Sequence, residues 1–141
     1  MNILEQWIDK YNSAPGVALH RSKYVEGVCD IITDEQRHYA KVGLDMSPAK
    51  NIVFNVDIDK ELKKFCEKEG WIKSICYGVL DVMLIGPMLP VNLFSCVITQ
   101  IEMDPYNSTN LAFRLAARIA VQDLLSYSPV QRIYGWGYNN W

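Results

Sequence analysis

The chain has no Cys-x-x-Cys pair, no glycine-rich phosphate loop, no long apolar run and no marked excess of one charge. Each absence removes a class of function. Its four cysteines, Cys29, Cys66, Cys76 and Cys96, lie among apolar neighbours, and neither His20 nor His38 stands at zinc-ligand spacing from them. They read as buried free thiols rather than metal ligands or a disulfide framework. None of the eight glycines builds a P-loop or a dinucleotide fingerprint, so nucleotide chemistry by those routes is excluded and no cofactor is expected. The best apolar run, residues 79–84, is interrupted by Asp81 and falls far short of the roughly 20 residues of a membrane span. The first seven residues are acidic and lack the basic start of a signal peptide, which makes a cytoplasmic location the expectation. Fourteen basic residues against sixteen acidic give a net charge of −2, too little positive charge to hold a nucleic acid by bulk attraction. Any RNA contact has to be local.

What is present is enough for one domain: 141 residues, of which 50% are hydrophobic and 21% charged. Ile3, Leu4, Trp7, Ile8 and Tyr11 form one helical stripe, ended by the turn residues Ser13-Ala14-Pro15-Gly16. Residues 21–32 are rich in β-branched side chains, residues 33–37 are a polar break, and residues 39–46 alternate, so a hairpin is predicted there. A third strand follows at residues 52–58, with Ile52, Phe54, Val56 and Ile58 on one face. From Asp59 a helical stripe runs through Leu62, Phe65, Cys66, Ile75, Val79 and Met83 to the stop signal Gly86-Pro87, with Gly70 as a potential break. Residues 91–103 read as a fourth strand, with Ile101 on the face of Val97 and Thr99. After a turn at residues 104–107, Ser108 or Thr109 caps a last helix rich in alanine. The expected architecture is an α+β two-layer sandwich, a four-stranded sheet with two long helices on one face and a short N-terminal helix.

Few residues offer chemistry. His20 and His38 sit before and in the hairpin, and the solvated loop reading fits both better than a general base, since no nucleophile stands at useful spacing. Ser95, Thr99 and Ser108 lack a Gly-x-Ser-x-Gly setting, and no set of nucleophile, base and oxyanion donors emerges, so the chain is not expected to be an enzyme. The mixed run Asp57 to Glu69 is a solvated helix face. Arg114 and Arg118, four apart on the last helix, ask for an anion: an acidic side chain of the same fold, a phosphate, or another protein. Tyr134, Trp136, Tyr138 and Trp141 crowd the tail, residues 128–141, where packing against the N-terminal stripe or self-association fits better than base stacking, because Arg132 is the tail's one basic residue.

Three segments carry a resemblance. Residues 108–120, Ser-Thr-Asn-Leu-Ala-Phe-Arg-Leu-Ala-Ala-Arg-Ile-Ala, are similar to the start of the last helix in domain IV of elongation factor G and its relatives, the tetracycline-resistance ribosomal protection proteins among them. Gly86-Pro87-Met88-Leu89-Pro90-Val91 resembles that domain's passage from helix to strand, and Glu26-Gly27 with Tyr39-Ala40-Lys41-Val42 resembles the openings of its first two strands. The match spans about residues 22–127. The resemblance implies a left-handed βαβ crossover, an exception to the usual rule. It also implies a standalone binding module that meets the ribosome or a translation partner through its tip loops, here Asp34, Glu35, Gln36, Arg37 and His38 with Tyr106 and Asn107. The family's first tip is a Ser-Gly-Gly-Arg-Gly-Gln type loop, whereas this chain has Thr33-Asp34-Glu35-Gln36-Arg37-His38. The alternative is a structural or self-assembling protein that reuses the scaffold.

Overall fold

Asn2 opens the first helix with a capping box: its side chain accepts from Glu5 N–H while the Glu5 carboxylate accepts from Asn2 N–H. The computed structural model describes residues 2–85 and 90–125, and the element order is α1 Ile3–Asn12, β1 Val17–Ala18, β2 Lys23–Thr33, β3 Gln36–Pro48, β4 Val53–Val56, α2 Lys60–Glu69, α3 Trp71–Met83, β5 Val91–Glu102 and α4 Asn110–Leu125. The tail and the Gly86-Pro87 stop signal lie outside the described residues.

The molecule is mixed α/β, with a five-stranded mixed sheet and four helices among the described residues. β2 pairs antiparallel with β3 and β3 antiparallel with β5, while the far side of β5 takes two parallel partners in succession, β1 at Val91 and Leu93 and β4 at Ser95 to Ile98. The sheet is therefore four strands wide, with β1 and β4 sharing one lane. Four strands were expected, and the fifth is β1. It escapes a periodicity reading because two exposed residues carry no pattern.

The expected long helix from residue 59 is two helices. Gly70 adopts φ +81°, the left-handed conformation that costs glycine nothing, and its N–H closes the end of α2 on the Cys66 and Glu67 carbonyls. With its nitrogen turned toward them, the Asn110 carboxamide donates to the carbonyls of Glu69 (3.3 Å) and Gly70 (3.2 Å), tying this corner to the start of α4. Asp59 is the N-cap of α2, accepting from Glu61 and Leu62 N–H.

β5 also departs from strict alternation. The register passes from Gly43↔Gln100 to Leu44↔Ile98, so Thr99 is an extra residue. That bulge turns Ile101 onto the core face opposite Val42, with Phe94, Cys96 and Ile98, instead of the face of Val97. The core lies between this face and the helices: Val25 and Cys29 of β2, Ala40, Val42, Leu44 and Met46 of β3, and Ile75, Val79, Phe113, Ala117 and Val121 of the helices are all buried. All four cysteines are buried and free, and burial pushes the Cys66 thiol up to about 11 and the Cys76 thiol up to about 12.

Two glycines let α4 sit this close. A methyl group on Gly27 of β2 would collide with the Ala116 carbonyl and come within 2.6 Å of the Ala120 nitrogen, and one on Gly78 of α3 would strike the Arg114 carbonyl and approach Ala117 Cβ to 2.8 Å. α4 is thus wedged onto β2 on one side and α3 on the other. Gly27→Ala is expected to lower the unfolding free energy by about 1–3 kcal/mol, the usual cost of overpacking, and Gly78→Ala by a similar amount. Urea denaturation of each variant measures it, and unchanged midpoints would show that α4 is not held by close approach.

Candidate functional site: the joined tip

Thr33 and Gln36 are paired, so the polar break expected over residues 33–37 contracts to a two-residue turn, Asp34-Glu35. Both turn residues have positive φ, 50° and 67°, the requirement of the type I′ hairpin turn that Asn-Gly or Asp-Gly usually meets. Aspartate tolerates this conformation through its short polar side chain, whereas Glu35 carries a Cβ penalty of roughly 1–2 kcal/mol.

Behind the turn, the open face of the sheet holds a cross-strand ion pair. Arg37 Nε and Nη2 donate to the two Asp30 carboxylate oxygens at 2.8 and 3.0 Å, and Arg37 Nη1 lies 3.7 Å from Asp104 Oδ2. Its guanidinium stands 5.2 Å over the Tyr39 ring, whose hydroxyl donates to Glu102 at 2.7 Å. Asp104 in turn accepts from Tyr106 N–H at 2.9 Å and from Asn107 Nδ2 at 3.1 Å, which folds residues 104–107 into a tight turn.

This turn is continuous with the sheet. β5 leaves β3 at Lys41, and two residues further on Tyr39 N–H donates to the Asn107 carbonyl (2.9 Å) while Ser108 Oγ donates to the Tyr39 carbonyl (2.7 Å). Ser108 Oγ also accepts from Asp104 N–H. The loop takes the place of β5 along β3, and the two predicted tips become one rigid end of the molecule. Tyr106 projects from it 92% exposed.

His38 is not the solvated loop residue that the sequence suggested. Because β3 starts at Gln36, His38 falls on the core parity and is buried, with Nε2 2.8 Å from Thr33 Oγ1 and Nδ1 2.8 Å from Thr109 Oγ1. Thr109 Oγ1 also accepts from Ala112 N–H and is the N-cap of α4. Both ring nitrogens lie within hydrogen-bond distance of hydroxyls, so His38 links the hairpin to α4. His20 is exposed. Asp34, Glu35, Gln36 and Arg37 are exposed and Asn107 is half-buried, so the tip residues expected from the sequence do assemble, apart from the inward turn of His38.

Asp30, Tyr39, Glu102 and Thr109 were missed by sequence reasoning as parts of this site. The hairpin register, once the turn is reduced to two residues, is the signal that would have found Asp30.

Arg114 and Arg118 lie elsewhere, on the α3 side of α4. Arg114 Nε and Nη2 donate to Asp81 at 2.7 and 2.8 Å, and Arg118 Nε reaches Asp81 Oδ2 at 2.7 Å. Asp81 is 4% exposed, and the acid the two arginines share belongs to the same chain. That bond raises the Arg114 pKa further, and its guanidinium stands 5.3 Å over the Tyr77 ring, against which Trp7 stacks at 6.0 Å. Among the described residues no cluster of three or more His, Cys, Asp or Glu side chains could hold a metal, and no helix is long and apolar enough to cross a membrane.

No protein-family model and no curated protein matches the chain. Among solved structures, the chain is similar to the crystal structure of ttk003000868 from Thermus thermophilus, with a TM-score of 0.62 and 23% identity over 82% of this chain. The match spans 18% of that protein, so the likeness is to one part of a much longer chain, and at this identity it concerns the fold.

The tip's charge state carries a pH consequence. Hydrogen bonding by Arg37 holds the Asp30 carboxyl below its ordinary value, and the Tyr106 N–H, with Asn107 and Arg37, does the same for Asp104. A depressed folded-state value means the stabilisation is present above the ordinary aspartate range and is lost as pH falls through the lowered values. NMR of the Arg37 Nε–H and Tyr106 amide resonances is expected to show constant shifts from about pH 7 through the ordinary aspartate range, then a joint change at still lower pH. A change at or above the ordinary range would contradict this wiring.

Proposed function

We propose that the chain is a non-enzymatic binding module whose joined tip, residues 34–37 with Tyr106 and Asn107, meets a component of the ribosome or a translation partner. The observation that carries the reading is the union of two loops, bonded across 69 positions of sequence at Tyr39 and Ser108, into one end of the sheet with an exposed tyrosine at its apex. The motif resemblance to the ribosome-entering domain of elongation factor G supports it. Because function resides in sites and not in folds, the tip carries more weight than the scaffold. The reading brings with it a left-handed crossover from β4 through α2 and α3 to β5.

The tip's chemistry refines the partner. Asp30, Asp34, Glu35, Glu102 and Asp104 supply negative charge there, and Arg37, already paired with Asp30, is the cation among the tip's described residues. Carboxylates repel bare phosphate, so a basic protein surface of the ribosome suits this tip better than naked rRNA. The pre-ordered backbone lowers the entropic cost of that contact.

Cosedimentation of the full chain with purified ribosomal subunits in low and moderate salt tests the reading. The chain is expected in the pellet, with recovery falling as salt rises, and Tyr106→Ala with Glu35→Lys is expected to reduce recovery at least tenfold. Absence from the pellet at both salt concentrations would remove the proposal.

A further inference from the structure

A different surface, independent of the tip, is left open by the way α4 is seated. β2 is an edge of the sheet: eleven residues long, without proline, paired without a bulge to β3, which is its strand partner among the described residues. A long regular edge is a template for another strand unless something blunts it.

Above that edge lies an apolar ledge. Ala116 and Ala120 rest on Gly27, and Ala117 meets Gly78 of α3, so the flank of α4 turned away from α3 overhangs the outer side of β2. At about 100° per residue that flank carries Leu115 and Ile119, one turn apart. Ile119 is 40% exposed, and Leu115 is half-buried. Ile31, on the helix-facing parity of β2 and 38% exposed, adds a third apolar side chain. On the opposite face the edge is acidic at its middle: Glu26 accepts a hydrogen bond from the Tyr24 hydroxyl and has no ion partner among the described residues.

We propose that this edge receives an extended peptide as an additional strand, with alternate apolar side chains under the α4 ledge and lysine or arginine side chains on the other face beside Glu26. Backbone groups of β2 supply the pairing, and the two faces supply the selection, since side chains alternate strictly along a strand. A second copy of this chain fits less well. Pairing β2 with its twofold mate would bring two α4 helices toward a separation of about one strand spacing, roughly 4.8 Å, where helix axes need about 8–10 Å. A register centred on Val28 would also set Glu26 opposite the other copy's Asp30, a like-charge pair. A bare strand meets neither obstacle.

The test uses the full chain and two synthetic peptides of about ten residues, the length that spans such an edge, one alternating valine and lysine, the other valine and glutamate. Hydrogen–deuterium exchange is expected to show new protection within residues 23–33 on adding the lysine peptide, with β5 unchanged, and none with the glutamate peptide. Ile119→Glu, at an exposed position, is expected to weaken lysine-peptide binding at least tenfold with an unaltered melting temperature. Glu26→Lys is expected to invert the preference between the peptides, which keeps the test decisive if Ile119→Glu fails to fold. The proposal is overturned by an absence of new protection, by equal binding of both peptides, or by a β2 edge already fully protected in the free chain, which would show that the protein's own residues or a second copy occupy it.

Discussion

The close approach of α4 to the sheet is the constraint on which the rest of this structure depends. Gly27 and Gly78 lack the one atom that would hold the helix off, and the alanines at 116, 117 and 120 are short enough to use the space. Dispersion contacts at this range are individually small and collectively large, and they are lost if either glycine gains a methyl group. Everything α4 carries is thereby positioned. Its N-terminus brings Thr109 to His38, its inner flank brings Arg114 and Arg118 to Asp81, and its outer flank leaves Ile119 exposed.

From that placement follows the character of the tip. The hairpin alone would be a two-stranded projection, marginal in water. His38 pins its inner face to the cap of α4, and Tyr39 pins its edge to Asn107 and Ser108 just before that helix begins. On the outer face the Arg37 guanidinium joins Asp30 to the neighbourhood of Asp104. Three layers of contact, one of them buried, hold two short loops in a fixed relation, so the surface they form is preformed. The Asp81 cluster serves a different purpose. An aspartate this buried needs its charge answered, and two arginines, a tyrosine ring and the stacked Trp7 close α1, α3 and α4 around it.

Much of this was legible in the residue pattern, and the misses have physical causes. The α1 stripe, the hairpin, the parity of Phe54 and Val56, the helix start at Asp59 and the cap signal at Thr109 follow from local periodicity and local hydrogen bonding. What escaped depends on neighbours distant in sequence. The Thr99 bulge is set by register against Gly43, the existence of β1 by the free lane beside Val91 and Leu93, and the burial of His38 by a turn tight enough to use positive φ at Asp34 and Glu35 without glycine. The tip residues were named from a resemblance. The network that joins them, from Asp30 and Asp104 to Ser108, is a property of the fold.

The central proposal is that the joined tip meets a component of the ribosome or a translation partner. A photocrosslinking amino acid placed at position 106, compared with one at the exposed position 20 near the opposite end of the sheet, tests it with purified ribosomal subunits and the full chain. The expected result is crosslinks to ribosomal protein from position 106 and background from position 20. Equal yields from the two positions, or none from 106 while the chain still binds, would contradict it.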